Sequence, residues 1–197
     1  LLDVQKYLYG EVYGFPGNPF DGRPDLGFYF ATENCREAWN SVIYGIRQRK
    51  GFILLTGESG VGKTTLLAFI FLFLSTRGHQ TIISRFHSEV PAEGILPVLL
   101  RHLGLAAGEA GGSSTLAIVN EELIRRSSRG EIISLIFDGA ENLKKEIVEE
   151  LLLLAELNPA LPKALQVIFV GDRRFEKKLE TEEFSALNEK FGARARL

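Results

Sequence analysis

The feature of the sequence best suited to chemistry is a glycine-rich turn that follows a short apolar run. Its pattern is G-x-x-x-x-G-K-[ST], and a segment of helical composition comes directly after it. Glycine lets the backbone wrap closely, so that successive amide N–H groups and the positive end of the helix dipole face one point. Phosphate groups are the ligands that suit such a cradle. The turn consists of Gly57, Glu58, Ser59, Gly60, Val61, Gly62, Lys63 and Thr64.

Three side chains at the end of this turn suit separate parts of a nucleoside triphosphate. Lys63 supplies a mobile positive charge for the β- and γ-phosphates, and Thr64 supplies a hydroxyl for Mg²⁺, which prefers hard oxygen ligands. Thr65 is placed to donate a further hydrogen bond to the α-phosphate. The sequence therefore predicts ATP and Mg²⁺ as cofactors, with GTP as the alternative nucleotide.

An acidic residue follows a second apolar run. The segment from 132 to 137 reads Ile-Ile-Ser-Leu-Ile-Phe and is followed by Asp138. A carboxylate at the end of such a strand orients Mg²⁺ between the β- and γ-phosphates. An aspartate after a strand is also a common turn residue, but the phosphate cradle upstream favours the metal role. We therefore predict that Thr64 and Asp138 hold the metal ion.

Hydrolysis requires in addition a base that polarises water. Many P-loop ATPases have a glutamate directly after the metal-binding aspartate, whereas this chain has Gly139. The nearest acid is Glu141, which either reaches the water from the loop or starts the next helix, where an acid suits the helix dipole. Lys63, Asp138 and Glu141 are the predicted catalytic set. Turnover is expected to be weak, and a glutamate introduced at position 139 is expected to raise it.

The segments around these residues alternate between strands and helices. Short apolar runs predict buried strands at 52–56, 80–86, 132–137 and 165–170, and a fifth strand is expected from 193. Apolar periodicity and length predict helices at 34–48, 63–77, 92–103, 115–129, 145–157 and 184–190. In the helix at 115–129, the expected core positions are Ile118, Leu123 and Ile124.

This alternation predicts an α/β fold, a three-layer αβα sandwich of the P-loop NTPase type around a mainly parallel five-stranded sheet. Ligands bind such sheets beyond the carboxyl ends of the strands. Gly57, Asp138 and Gly171 all follow or end predicted strands, so the chemistry is expected to converge on one edge of the sheet.

Bulk composition limits the class of protein. The chain has 197 residues, 45% of them hydrophobic, and a net charge of −2, which gives no overall attraction to nucleic acid. Basic clusters at 125–129 and 173–178 are expected to be solvated helix faces. The apolar run at 66–74 is far shorter than the roughly 20 residues of a membrane span and predicts a helix buried on all sides. Cys35, the only cysteine, is expected to be buried, and the cytoplasm is the expected location.

Several short motifs occur in an order and spacing that resemble a known family. They are Tyr13-Gly14-Phe15, Asn18-Pro19-Phe20, Leu55-Thr56-Gly57-Glu58, Leu103-Gly104-Leu105, Asp138-Gly139-Ala140-Glu141-Asn142-Leu143 and Val167-Ile168-Phe169-Val170-Gly171. The family is that of the AAA+ ATPases of the general secretion pathway A type, related to TniB-type transposition ATPases. The resemblance implies an AAA+ fold, self-association or a partner protein, and an adenine pocket near residues 18–20.

Three positions depart from that family's pattern. Gly139 stands in place of the catalytic glutamate, and Asp172 stands where a glutamine sensor is usual, so that an acceptor replaces a donor. Lys190 stands where an arginine acts on a neighbouring subunit, and it carries the charge without the planar fork of arginine. Arg194 and Arg196 are nearby substitutes. Together these departures predict that nucleotide binding is retained and turnover reduced.

The resemblance leaves three functions open. The first is an ATPase domain that drives assembly or movement of a larger complex, such as a secretion or cell-envelope machine. The second is a nucleotide-dependent switch or scaffold that does not hydrolyse ATP, and the third is a DNA-associated transposition ATPase, which the negative net charge does not favour. Residues 1–50 are expected to form an arm and a helix that pack on a core of residues 51–197, without the small lid domain usual in AAA+ proteins.

Overall fold

The computed structural model describes residue 14 and residues 30–77, 80–85, 94–105, 115–157 and 163–197. Most of the N-terminal arm, with the candidate adenine-pocket residues 18–20, lies outside this part of the chain. The helices and strands are α1 (Glu33–Arg47), β1 (Phe52–Thr56), α2 (Lys63–Thr76), β2 (Gln80–Arg85), α3 (Ile95–His102), α4 (Thr115–Ser128), β3 (Ile133–Asp138), α5 (Lys145–Glu156), β4 (Leu165–Gly171), α6 (Arg173–Leu179), α7 (Ser185–Lys190) and β5 (Phe191–Arg196).

The five strands form one parallel sheet in the order β2-β3-β4-β1-β5. β1 and β3 are buried at every position, as expected of apolar runs in a sheet that helices cover on both faces. The register places Thr56 beside Gly171 and Asp138 beside Val170. The predicted α/β fold with a five-stranded parallel sheet is confirmed, and the ends of β1, β3 and β4 meet at one edge.

Alternate residues of the strands face two separate cores. Ile53 and Leu55 pack with α1 and α2 on one face, whereas Phe52 and Leu54 pack with α3, α4, α5 and α6 on the other. This is the predicted αβα sandwich. Cys35 is buried in α1, also as predicted. The other predicted elements are present with small shifts at their ends, and the helix predicted at 184–190 is α7, preceded by a short 3₁₀ turn at Glu182–Phe184.

The helix after the glycine-rich turn is not buried on all sides, contrary to the prediction from its composition. In α2, Leu66, Leu67, Ile70 and Leu74 are buried, whereas Phe71 and Leu72 are 38% and 47% exposed. A helix in an outer layer has one face toward the sheet and one face away from it, so composition alone overstated its burial. Among the described residues, no helix has the length and apolar character needed to cross a membrane.

The core positions of α4 also differ from the prediction. Val119 and Glu122 are the buried residues of this helix. Ile118 and Leu123 are only partly buried against the core, and Ile124 lines a small cavity at the amino edge of the sheet. The prediction therefore identifies the side of α4 that faces the core but not its most buried residues, because the carboxylate of Glu122 occupies one of those positions.

This carboxylate binds the basic cluster of α4. Glu122 is 6% exposed and accepts hydrogen bonds from the guanidinium groups of Arg125 and Arg126 at 2.6 and 2.7 Å. Arg126 also pairs with Glu131. The bonds from Arg125 are the main cause of a pKa for Glu122 below its usual value. The prediction of a solvated basic face is therefore wrong for Arg126, which is 17% exposed.

Replacing Glu122 by glutamine is expected to lower the free energy of unfolding by about 1–2 kcal/mol at neutral pH, because three charge-assisted hydrogen bonds are weakened. Since the pKa of Glu122 is lowered in the folded chain, its contribution is present above the unfolded value of about 4.3 and is lost as pH falls through the folded value. Denaturant unfolding at pH 7 and pH 3 measures the effect. The exposed neighbour Glu121→Gln is the control, and an equal loss in the Glu122 variant at both pH values would contradict the assignment.

One helix was not predicted from the sequence. α6 begins after Asp172, whose side chain accepts the backbone N–H of Arg174 as an N-cap. Its two buried residues are Phe175 and Leu179, four positions apart. An aspartate followed by this spacing was the available signal, but the charged residues between the two apolar positions obscured it.

The amino edge of the sheet is tied together by one side chain. Arg49, with φ of 52°, precedes β1. Its guanidinium group donates to the carbonyl oxygens of Gly130, Glu131 and Lys163 at 2.6, 3.2 and 3.5 Å. Gly130 and Glu131 precede β3 and Lys163 precedes β4, so one cation connects the beginnings of three strands.

Candidate functional site

The turn from Gly57 to Gly62 leaves β1 and enters α2 as an open loop. Residues 58–61 are exposed, and Gly60 and Gly62 have φ of 82° and 96°, in the left-handed region. An added Cβ at either of these two glycines would meet nothing within 4 Å, so backbone conformation, not space, requires glycine there. At Gly57 an added Cβ would lie 2.8 Å from the carbonyl oxygen of Leu197, so close approach is the reason.

The beginning of α2 is directed at this loop. Its N-cap Gly62 contributes no side-chain hydrogen bond, and the first N–H groups of an α-helix have no acceptor within the helix. Lys63 Nζ donates to the carbonyl oxygens of Gly57 and Glu58, both at 2.8 Å. The ammonium group therefore lies across the loop that leads to the beginning of α2. This arrangement can surround an anion with N–H donors and one positive charge.

Thr64 and Asp138 lie close together although they are 74 positions apart in the sequence. Thr64 Oγ1 donates to Asp138 Oδ2 at 3.3 Å, and Asp138 is 6% exposed. One hydroxyl and one carboxylate fit Mg²⁺, which completes its coordination with waters and substrate phosphates. No group of three or more His, Cys, Asp or Glu residues in the described part of the chain could hold a metal ion by itself. The donor set therefore fits an ion that is shared with a bound phosphate.

The turn after Asp138 holds Glu141 in a short 3₁₀ helix, Ala140–Asn142, whereas α5 begins only at Lys145. The side chain of Glu141 is 16% exposed, and its Oε1 accepts a hydrogen bond from Arg174 at 3.3 Å. Its Oε2 is buried and has no hydrogen-bond partner among the residues that the structure describes. Glu141 thus presents an acceptor that the described protein groups leave unsatisfied.

Gly139 has φ of 88° and ψ of 40°, and this left-handed conformation revises the expected effect of a glutamate there. Gly139→Glu is now expected to lower the free energy of unfolding by about 1–2 kcal/mol, because a β-carbon is strained in this conformation. Phosphate release is expected to stay unchanged, because a side chain on this left-handed backbone points in a different direction from one on a residue that continued the extended strand β3.

Gly139→Asn is the matched control, since asparagine tolerates the left-handed region better than glutamate. Thermal unfolding and steady-state phosphate release are measured for both variants. A higher rate of phosphate release in the glutamate variant alone would show that the turn rearranges, and would restore the original expectation.

α6 places charged groups beside both halves of the site. Asp172, at the end of β4, accepts the backbone N–H of Arg174 at 2.8 Å and its Nε at 2.9 Å. Hydrogen bonding from Arg174 is the main cause of a lowered pKa for Asp172. Arg174 also pairs with Glu141, and Arg173 lies 3.9 Å from the carboxylate of Glu58 in the loop. The predicted sensor residue is therefore not an isolated acceptor.

Lys178 supports the turn that carries Glu141. Its Nζ donates to the carbonyl oxygens of Glu141, at 3.2 Å, and Leu143, and lies 4.6 Å from the ring centre of Phe184. Burial lowers the pKa of Lys178. The prediction that the basic cluster at 173–178 faces solvent is therefore wrong for Lys178. The sequence could not show this role, because the partners are 35 or more positions away.

The residues predicted to act on a neighbouring subunit are spread along β5, from the amino edge to the carboxyl edge of the sheet. Lys190 directly precedes β5, whose first residue pairs with the first residue of β1, and its Nζ is 3.1 Å from Glu156. Arg194 Nη2 donates to the backbone and side-chain oxygens of Asn188 at 2.6 and 2.7 Å. Arg196 pairs with Thr56 and thus lies at the carboxyl edge. Lys190 is not brought to the loop of its own chain.

The strand order, the loop after β1 and the aspartate after β3 define a P-loop NTPase. The chain belongs to the AAA family: a family model described as AAA domain matches residues 46–179, more than half of the chain. It is similar to General secretion pathway protein A of Aeromonas hydrophila, with 26% identity over 191 residues. That match covers 96% of this chain and 35% of the relative, so the chain spans about a third of the relative's length.

Solved structures with the same fold include three that differ strongly in sequence. The CDC6P protein of Pyrobaculum aerophilum has a TM-score of 0.62 at 14% identity, over 89% of this chain and 47% of that one. The Aeropyrum pernix ORC2 protein, in ADPNP–ADP complexes, has a TM-score of 0.58 at 15% identity over 88% and 50%. AMPPCP-bound DnaA of Aquifex aeolicus has a TM-score of 0.52 at 17% identity over 89% and 50%. These likenesses establish the AAA+ fold.

Proposed function

We propose that this chain is an ATP- and Mg²⁺-binding ATPase domain with slow hydrolysis. The observation that carries the proposal is the joint position of Lys63, across the loop, and of Thr64, bonded to Asp138 at 3.3 Å. The first group supplies charge for the phosphates and the second pair supplies oxygen ligands for the ion that bridges them. Nucleotide analogues in the ORC2 and DnaA structures support a nucleotide as the ligand of this fold.

Slow hydrolysis follows from the groups around the phosphates. Glu141 is the proposed base for the attacking water, because its Oε2 is buried without a partner among the described residues. Its other oxygen accepts a hydrogen bond from Arg174, so the carboxylate cannot turn toward a water until that bond breaks. The position after Asp138, which is a glutamate in many P-loop ATPases, is glycine in a left-handed conformation.

We propose further that the nucleotide state controls assembly of a larger complex, of the secretion or cell-envelope kind. Similarity to General secretion pathway protein A supports this assignment. Self-association would bring Lys190 or Arg194 of one subunit toward the nucleotide of the next. The described basic cluster of α4 does not favour DNA as a partner, because Arg125 and Arg126 bind the carboxylate of Glu122 in the same chain. Placement in the cytoplasm and the link to TniB-type ATPases stay predictions.

The test measures ATP binding, Mg²⁺-dependent phosphate release and oligomeric state in one preparation. We expect ATP to bind, phosphate release to be slow but dependent on Mg²⁺, and the size of the particle to increase with ATP in light scattering. Binding with a size change but without Mg²⁺-dependent release would favour the non-hydrolysing switch, which the glycine at position 139 already supports. Absence of ATP binding would refute both functions.

A further inference from the structure

The end of β4 lies between the two halves of the nucleotide site. β4 is flanked by β1 and β3, with Gly171 beside Thr56 and Val170 beside Asp138. The residue that follows β4 therefore leaves the sheet between the start of the phosphate loop and the metal-binding carboxylate. In this chain that residue is Asp172, an anion at a place where negative phosphate charge is expected.

The charge of Asp172 is already bound by a cation. Its Oδ2 accepts a hydrogen bond from Arg174 Nε at 2.9 Å and lies 2.8 Å from Arg174 Nη2, so one carboxylate oxygen is shared by two nitrogens of the guanidinium group. The same carboxylate caps α6 through the backbone N–H of Arg174 at 2.8 Å. These bonds fix both the backbone and the side chain of Arg174 relative to the end of β4.

Arg174 has donors left for another anion. The contacts recorded in the described part of the chain use Nε and Nη2, including the bond of Nη2 to Glu141 at 3.3 Å. A guanidinium group has five N–H donors, and 73% of this side chain is exposed. Lys63 and Arg174 would then both supply positive charge to the same phosphate chain.

We propose that Arg174 donates to the γ-phosphate of ATP, and that Asp172 is the positioning residue that holds Arg174 for this contact. This inference rests on the proposed function. In this arrangement Arg174 binds the carboxylate of Asp172, so that carboxylate does not repel the nucleotide. Arg174 supplies the hydrogen-bond donor that a glutamine at position 172 would otherwise supply. ADP lacks the γ-phosphate, so the contact of Arg174 distinguishes ATP from ADP. The bond from Arg174 to Glu141 must weaken when the guanidinium group turns to the phosphate, which links the presence of ATP to the release of the proposed base.

The test compares ATP and ADP affinities in the intact chain with Mg²⁺ present. Arg174→Ala is expected to weaken ATP binding about tenfold, the loss of one charge-assisted hydrogen bond, and to change ADP affinity less than about twofold. Lys177→Ala, which removes one exposed positive charge from the same helix, is the matched control and is expected to change neither affinity. Arg174→Lys keeps the charge but not the fork, and is expected to lie between wild type and Arg174→Ala.

Asp172→Ser tests the positioning role, since serine still caps α6 but cannot hold a guanidinium group by charge. It is expected to lower the ratio of ATP to ADP affinity in the wild-type background and to leave it unchanged in the Arg174→Ala background, because the two residues act through one contact. If Arg174→Ala leaves the ratio of ATP to ADP affinity unchanged, because neither affinity falls or both fall equally, this inference is overturned while the proposed function stands. Absence of binding by the wild-type chain overturns both.

Discussion

Replacing Lys63 by alanine is expected to weaken ATP binding by about 10- to 150-fold, since a charge-assisted hydrogen bond contributes about 1.5–3 kcal/mol and 1.4 kcal/mol corresponds to tenfold in affinity. The ammonium group donates to the carbonyl oxygens of Gly57 and Glu58, so it is already placed over the loop. Binding of phosphate exchanges these neutral acceptors for charged ones. Calorimetric titration with ATP measures the change.

Two further variants separate the charge of Lys63 from other effects. Lys63→Met keeps most of the apolar stem and removes the charge, and is expected to behave as the alanine variant does. Lys145→Ala is the matched surface control, because that lysine is half exposed and pairs across one turn of α5 with Glu149 at 3.5 Å. If both Lys63 variants bind ATP as tightly as wild type, the loop is not the phosphate site.

The second large effect is expected at the metal-binding carboxylate. Asp138→Asn should lower Mg²⁺-dependent phosphate release by about 10- to 100-fold, the usual cost of losing a group that orients a metal ion. Asparagine keeps the size of the side chain and an acceptor for Thr64 Oγ1, so the fold is expected to be retained. ATP affinity without Mg²⁺ should change little. The gain in ATP affinity on adding Mg²⁺ should fall in parallel, which provides a readout when turnover is slow.

Thr64 offers a matched pair of variants for the same ion. Thr64→Ser keeps the hydroxyl that lies 3.3 Å from Asp138 and is expected to retain the response to Mg²⁺. Thr64→Val has the same shape without the hydroxyl and is expected to lose it, because Mg²⁺ requires oxygen ligands. A valine variant that responds to Mg²⁺ as wild type does would argue against this site.

The sheet could be predicted closely from the sequence because its strands are apolar runs with clear stops. β1 has the predicted bounds, 52–56, and β3 ends at Asp138 where the carboxylate was expected. The helices were harder. α2 is apolar around its whole circumference, so periodicity could not show which side faces the sheet, and Phe71 and Leu72 are exposed. α6 has seven residues, too few for a periodic pattern to be recognised among charged neighbours.

The candidate site was predictable where local spacing determines it and not elsewhere. The loop motif and Asp138 were identified because each follows a strand in a standard pattern. The contacts of Arg174 and Lys178 with the turn around Glu141 span 33 to 37 positions and follow no local pattern. The conformation of Gly139 was equally inaccessible, since a glycine in the sequence is compatible with positive or negative φ.

The position of Arg49 has a mechanical consequence. Its guanidinium group connects the segment that enters β1 to the residues that precede β3 and β4. We therefore expect the amino edge of the sheet to be stiffer than the carboxyl edge. At the carboxyl edge, Glu58 and Arg173 form an ion pair between side chains that are 62% and 70% exposed, and such pairs separate at little cost. Movements that accompany a change of nucleotide should therefore occur in the loops at the carboxyl edge, while the strands keep their positions relative to one another.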